Sequence, residues 1–156
     1  MKEVDLAYFA GLFDGEGHVR IGKDPKPRYG ATTRYYLQVI ISNQNLQVLE
    51  ELQQNFGGSI HGSSGCYHLA FGALQSMRFL EEVKPYIRIK LPQVEVALEF
   101  QRLQIENGRW RTKKTPEHML ILDGYKKRLE ELKQIDKQDF KTEFTFTGIQ
   151  IQGGIN

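Results

Sequence analysis

Two carboxylates separated by a single glycine, Asp14 and Glu16, close an apolar run and are flanked by Gly11, Gly15 and Gly17. Leu6, Phe9 and Ala10 recur at helical spacing and Leu12 and Phe13 continue the run, which predicts a short buried helix. Gly15 and Gly17 are poor helix residues and are expected to terminate it. Glu16 then falls at the C-terminal end, where the backbone dipole already carries partial negative charge, so the acid needs a cation. Gly11 and Gly15 are four apart on one face, with Ala10 beside them, which lets a second helix approach almost backbone to backbone. A partner helix with a similar acid would bring two carboxylates together. Their repulsion is relieved most directly by a hard divalent cation such as Mg²⁺, which prefers oxygen ligands and keeps several waters. That is a route to metal-assisted phosphodiester chemistry. The plainer alternative is a packed helix ending in a glycine-rich turn with a solvated acid.

The elements around this helix follow from periodicity. His18 to Gly22 alternates, with Val19 and Ile21 on one side and His18, Arg20 and Gly22 on the other. Lys23 to Thr33, with Pro25, Pro27 and Gly30, reads as a basic loop. Alternation resumes at Arg34, with Leu37, Val39 and Ile41 inward and Arg34, Tyr36, Gln38 and Ile40 outward. Asn45 can cap a helix striped by Leu46, Leu49, Leu52 and Phe56 and closed by Gly57. Two short strands come next, with Ile60, Tyr67, Leu69 and Phe71 inward and Ser59, His61, Ser63, Cys66, His68 and Ala70 outward. A helix over about 73–83 carries Leu74, Met77, Leu80 and Val83 and stops at Pro85. After the extended basic link Pro85 to Lys90, Pro92 opens a helix through Ile105, broken by Asn107 and Gly108. Another helix starts at Thr115 and Pro116, with Met119, Leu122, Leu129 and Leu132 as its stripe.

This order predicts an α+β fold: an αββαββα core with a four-stranded antiparallel sheet, plus C-terminal helices. The 156 residues fit one domain, divided into a core over 1–106, a C-terminal helical region over 107–141 and a tail over 142–156 that is either an edge strand or disordered. No apolar run is long enough to span a bilayer, and the start does not read as a signal or transit peptide. A single cysteine, Cys66, suits a reducing, intracellular compartment.

Net charge is only +2, but from His18 to Tyr36 there are five Lys or Arg against one acid, Asp24. Lys84, Arg88 and Lys90 form a second basic group and Arg109, Arg111, Lys113 and Lys114 a third. One positive face fits a nucleic-acid partner, although basic loops on an ordinary protein look alike. The outward strand residues are hydrogen-bonding types of many lengths, with no Lys or Glu, as reading base edges in a major groove requires. Cover by another protein chain is the alternative. His61 and His68 across a hairpin could suggest zinc, but no third ligand stands at zinc spacing.

Phe9 to Gly17, FAGLFDGEG, resembles the signature of the LAGLIDADG homing endonucleases in both small residues, both acids and the intervening and final glycines. Only one copy is present. Single-motif members act as homodimers, so the resemblance implies an interface through Tyr8, Ala10, Gly11, Phe13, Asp14 and Gly15 of two identical chains. It implies a saddle-shaped sheet straddling double-stranded DNA at a long, near-palindromic site. The contacts expected are His18, Arg20, Arg28, Arg34, Tyr36, Gln38, Ile40, Ser59, His61, Ser63, His68 and Arg88. Glu16 matches the final acid and is the implied metal ligand, helped by the Gly15 carbonyl, for Mg²⁺ or another divalent cation such as Mn²⁺ or Ca²⁺. Asp14 matches the first acid, less tied to cleavage, and is free to satisfy nearby backbone.

The family's polar residue after the second strand, often Gln, falls on Asn43 or on its close rival Gln44. Lys90 matches the basic residue that follows the third helix and stands near the scissile phosphate. The implied protein is a homodimeric, metal-dependent, site-specific double-strand endonuclease hosted by an intron or intein. It would act in a chloroplast or mitochondrion if organelle-encoded, and otherwise in a prokaryotic cytoplasm. The alternative is a relative that keeps the fold and binds DNA or RNA without cutting, such as an intron-splicing maturase.

Overall fold

Side-chain parity along two strands builds the centre of the fold. In β1 (Gly17–Asp24) buried Val19 and Ile21 alternate with exposed His18 and Arg20. In β2 (Arg34–Asn43) Tyr35, Leu37, Val39 and Ile41 are buried between residues that reach solvent. This computed structural model describes residues 1–24, 33–63, 65–107 and 114–144, with the backbone alone at 63 and 136–144. With β3 (Ser59–Ser63) and β4 (Cys66–Phe71), one four-stranded antiparallel sheet forms in the order β1-β2-β4-β3. Helices α1 (Glu3–Glu16), α2 (Leu46–Phe56), α3 (Ala73–Val83) and α4 (Leu91–Glu106) contribute most of the remaining core residues against its apolar face. The α+β order is the one the alternation predicts.

Local signals explain the helix ends. The Asn45 side chain accepts the Gln47 N–H at 3.0 Å and caps α2, and Gly57 closes that helix at φ 79°, which glycine adopts without strain. A 3-10 turn at Lys84–Tyr86 follows α3. The stripe expected on α3 needs correction: Leu74 is 68% exposed, and the buried face is Ser76, Phe79, Leu80 and Val83. Phe79 is the hub of the aromatic core, with ring centroids 5.7 Å from Phe13, 5.1 Å from Phe56 and 5.2 Å from Phe71.

Ser76 looks out of place in that core until its hydroxyl is followed. It accepts the Val39 N–H at 2.9 Å and donates to the Phe71 carbonyl at 3.3 Å, bridging the strands β2 and β4. A buried N–H and a buried C=O are thereby each given a partner.

The long helix α5 (Pro116–Phe144) packs on α4 and along the edge strand β1, burying Leu122 and Leu129. Lys23 bonds Asp123 at 2.9 Å, so it belongs to a strand tied to α5 and not to the loop expected from its sequence. Covering β1 removes one open sheet edge. The tail expected over 142–156 begins as helix through 144, and 145–156 lie outside the described residues. No described helix is long and apolar enough to cross a membrane.

Candidate active site

Helix α1 stops at Glu16 because β1 begins at the next residue. Gly17 has φ −81° and ψ 149°, an extended conformation open to any residue, and its N–H bonds the Phe13 carbonyl. Glycine is needed there for space, since a Cβ would overlap the Phe13 ring and come 2.5 Å from that carbonyl. Gly15 lies inside the helix, with nothing within 4 Å of a Cβ built on it. The expected pair of terminators is thus corrected: Gly15 continues the helix, and Gly17 makes room for Phe13. Glu16 is left exposed at the negative end of the dipole, and its carboxylate takes no hydrogen bond or ion pair from the described residues.

Asp14, two residues earlier, is fully engaged. One carboxylate oxygen accepts the N–H groups of Arg88 at 2.9 Å and Ile89 at 3.2 Å, and the other accepts the Lys90 N–H at 3.0 Å. These amides sit just ahead of α4, where an acid is favoured by the positive end of the dipole. The Asp14 carboxylate, expected at a subunit interface, is thus bonded to the backbone of its own chain.

Lys90 answers in the opposite direction. Its ammonium donates to the Phe13 carbonyl at 3.0 Å and to the Asp14 carbonyl, and lies 5.6 Å from the Phe13 ring centroid. No basic residue occupies the last turn of α1, so this cation from 76 residues away caps it.

Asn43 and Gln44 reach the same corner less directly. Gly17 pairs with Ile41, which puts the end of β2 beside the end of α1. Asn43, however, shares the parity of the buried β2 residues, and its Oδ1 accepts the Asn45 N–H at 2.8 Å. Its acceptor is committed to the turn into α2, while Gln44 is exposed.

The outward residues do share one face. The register sets His18 beside Ile40, Arg20 beside Gln38, and Ile40 and Ser59 on either side of Ala70. Arg34 and Tyr36 lie in the same outward series, and His61 pairs with His68. Arg20 Nε donates to Gln38 Oε1 at 2.8 Å, and the guanidinium groups of Arg20 and Arg34 lie 5.9 and 5.7 Å from the Tyr36 ring centroid. Ser42 belongs to this face and was not picked out from sequence, although parity two residues beyond Ile40 marks it. Its hydroxyl lies 2.7 Å from His68 Nδ1, and His68 Nε2 lies 3.8 Å from the exposed Cys66 Sγ. Arg28 and the group Arg109, Arg111 and Lys113 lie outside the described residues, as does the Ser63 side chain. Arg88 is exposed.

His18 opens this face two residues after Glu16. Burial, then the nearby Lys133, holds its pKa below the ordinary value; Arg20 and Lys90 add to this while Glu130 opposes it. Lys133 and Glu130, bonded at 2.9 Å, belong to α5. More than a hundred residues separate them from His18, so no local pattern marks the contact.

The α1 surface differs from the interface expected. Ala10 and Phe13 are fully buried in their own subunit and cannot offer side chains to a partner. The outer stripe is Val4 (70% exposed), Tyr8 (58% exposed), Gly11 and Gly15, with open space at both glycines.

The donor chemistry at the end of α1 suits a hard cation: an unpartnered carboxylate beside a helix-terminal carbonyl. Among the described residues no group of three or more His, Cys, Asp or Glu could hold a metal.

The model of the LAGLIDADG endonuclease family matches residues 9–89. No curated protein matches the chain. Among solved structures, the homing endonuclease I-CvuI, in complex with the I-CreI target and Mg, with the DNA not cleaved, aligns with a TM-score of 0.69 at 17% identity over 83% of this chain and 82% of that one. I-CvuI is also solved with its own target in the presence of Ca. The archaeal intron-encoded homing endonuclease I-Vdi141I, complexed with DNA, aligns with a TM-score of 0.64 at 19% identity over 86% and 85% of the two chains. The LAGLIDADG meganuclease I-AabMI, bound to uncleaved DNA, aligns with a TM-score of 0.63 at 14% identity over 77% of this chain and only 44% of that one.

Proposed function

Because the chain belongs to the LAGLIDADG endonuclease family, we propose that it cuts both strands of a specific DNA duplex as a homodimer, each copy contributing one Glu16. The observation that carries this reading is the Glu16 carboxylate, exposed and unpartnered among the described residues at the negative end of α1. Beside it runs a helix face whose two glycines have nothing against them. Two copies meeting through Val4, Tyr8, Gly11 and Gly15 would bring their glutamates together.

Glu16 and the Gly15 carbonyl would hold the divalent cation, and I-CvuI, solved with Mg and with Ca, favours a hard ion of this kind. Bound there, such an ion supplies charge neutralisation at the scissile phosphate and a more acidic water. Lys90, tethered to the α1 carbonyls, adds positive charge at the same end of the helix. Gln44, exposed at the end of β2, is the better candidate to orient water, because Asn43 Oδ1 is bonded to the Asn45 N–H. The outward row His18, Arg20, Gln38, Tyr36, Arg34 and Ser59 offers donors and acceptors to base edges and phosphates.

The test is cleavage selection on a randomised duplex library with and without Mg²⁺, comparing wild type with Glu16→Gln. Wild type should recover a long, near-palindromic site. Glu16→Gln should lose at least about a thousandfold in cleavage rate while binding the recovered duplex within about threefold of wild type. A wild type that binds duplex DNA but never nicks it would contradict the nuclease reading and favour a binding protein.

A further inference from the structure

The two acids of the motif face different duties, and the hydrogen bonds around Asp14 say which duty it has. Its carboxylate accepts three consecutive N–H groups, those of Arg88, Ile89 and Lys90. Lys90, the last of the three, returns its ammonium to the carbonyls of Phe13 and Asp14. The exchange is reciprocal: an anion from the end of α1 sits at the positive end of α4, and a cation from the start of α4 sits at the negative end of α1. Each charge meets the dipole end that stabilises it, so neither residue moves without releasing the other. Serving as a metal ligand would cost Asp14 those three bonds, whereas Glu16 has none to give up.

We infer that Asp14 is a positioning residue for DNA cleavage: it fixes the 88–90 backbone so that the Lys90 ammonium is held at the end of α1 next to Gly15 and Glu16. This rests on the reading of Glu16 and Lys90 as parts of a cleavage centre. Asp14 touches neither DNA nor metal in this account, and its effect on the reaction passes through Lys90. The same contacts make Lys90 oriented, because three interactions with α1 (two carbonyls and the Phe13 ring) restrict a side chain that would otherwise sweep through solvent.

The test is a double-mutant cycle on the full chain with Asp14→Asn, Lys90→Met and the pair. It reads single-turnover cleavage of the library-selected duplex in Mg²⁺, affinity for that duplex in Ca²⁺, and thermal midpoint. Asp14→Asn is expected to slow cleavage by about tenfold to a hundredfold at saturating protein, with duplex affinity within about threefold of wild type. The double variant should cut within about threefold of Lys90→Met alone, because the second change removes nothing that the first has left. The Mg²⁺ concentration giving half-maximal rate should be the same for Asp14→Asn and wild type.

Multiplicative losses in the double variant, or wild-type cleavage by Asp14→Asn, would overturn the inference. So would a rise in the Mg²⁺ requirement, which would make Asp14 a ligand. Should Asp14→Asn prove unfolded at the assay temperature, Asp14→Glu keeps the charge and displaces it by one methylene, and the same slowing at unchanged affinity is expected. If wild type cuts no duplex at all, the nuclease reading fails with this inference upon it. Non-additive shifts in the thermal midpoints would then show the Asp14–Lys90 tie alone to be real.

Discussion

Asp14 and Glu16 share a side-chain chemistry and differ in what surrounds them: three backbone N–H groups for one and solvent for the other. His18 extends this contrast to a titrating group. Burial first, then Lys133, Arg20 and Lys90, outweigh Glu130 and disfavour its protonated form, so the folded chain binds fewer protons at His18 than the unfolded chain does. Stability from this site is therefore fully present above the ordinary histidine value of about 6.5 and falls as pH drops from there through the lowered folded pKa. Duplex phosphates beside His18 would favour the protonated form, so binding should take up a proton. Affinity for the selected duplex is expected to rise as pH falls through the histidine range, and His18→Gln should flatten that profile; identical profiles would contradict it. At this scale the sequence was most informative where parity or the motif fixed a position, as for Glu16 and the outward row from His18 to Gln38. It was least informative where a side chain's partner is distant in the chain. Ala10 and Phe13 were expected at an interface and are core, because the motif spacing cannot distinguish the face turned to the sheet from the face turned outward.

Between the helices and the sheet, a single hydroxyl does what apolar contacts cannot. Ser76 stands between the Val39 N–H and the Phe71 carbonyl, so Ser76→Ala should leave both buried groups short of a partner. A loss of about 1–3 kcal/mol is expected, read as a lower denaturant midpoint at unchanged slope. No loss would mean that the two strands close directly on one another. The α3 stripe shows why this was not legible: hydrophobicity selects Leu74 and passes over Ser76, whereas the packed face is set by where α3 crosses the sheet. Strand alternation, the Asn45 cap and the Gly57 stop were legible because each is decided by residues within a turn of one another. The course of α5 along β1 was not, since the Lys23–Asp123 bond spans 100 residues.

For the molecule as a whole, a net charge of +2 conceals an uneven distribution. Several helix acids are paired, as in Glu81 with Arg102, Glu82 with Arg78 and Glu95 with Lys84. Arg20 and Arg34 instead stack on Tyr36 over the polar face of the sheet. The Glu16 corner stands beside that face, with its carboxylate exposed and open space at Gly11 and Gly15 of the same helix. The central claim is that a second copy completes it through α1. The most direct measurement places a thiol at the corner itself: Glu16→Cys in a Cys66→Ser background, which removes the exposed native cysteine, treated with a short bismaleimide. Efficient conversion to a covalent dimer at dilute protein, enhanced by the selected duplex, is the predicted result. A chain that stays monomeric and uncrosslinked with its thiol fully reactive would contradict it.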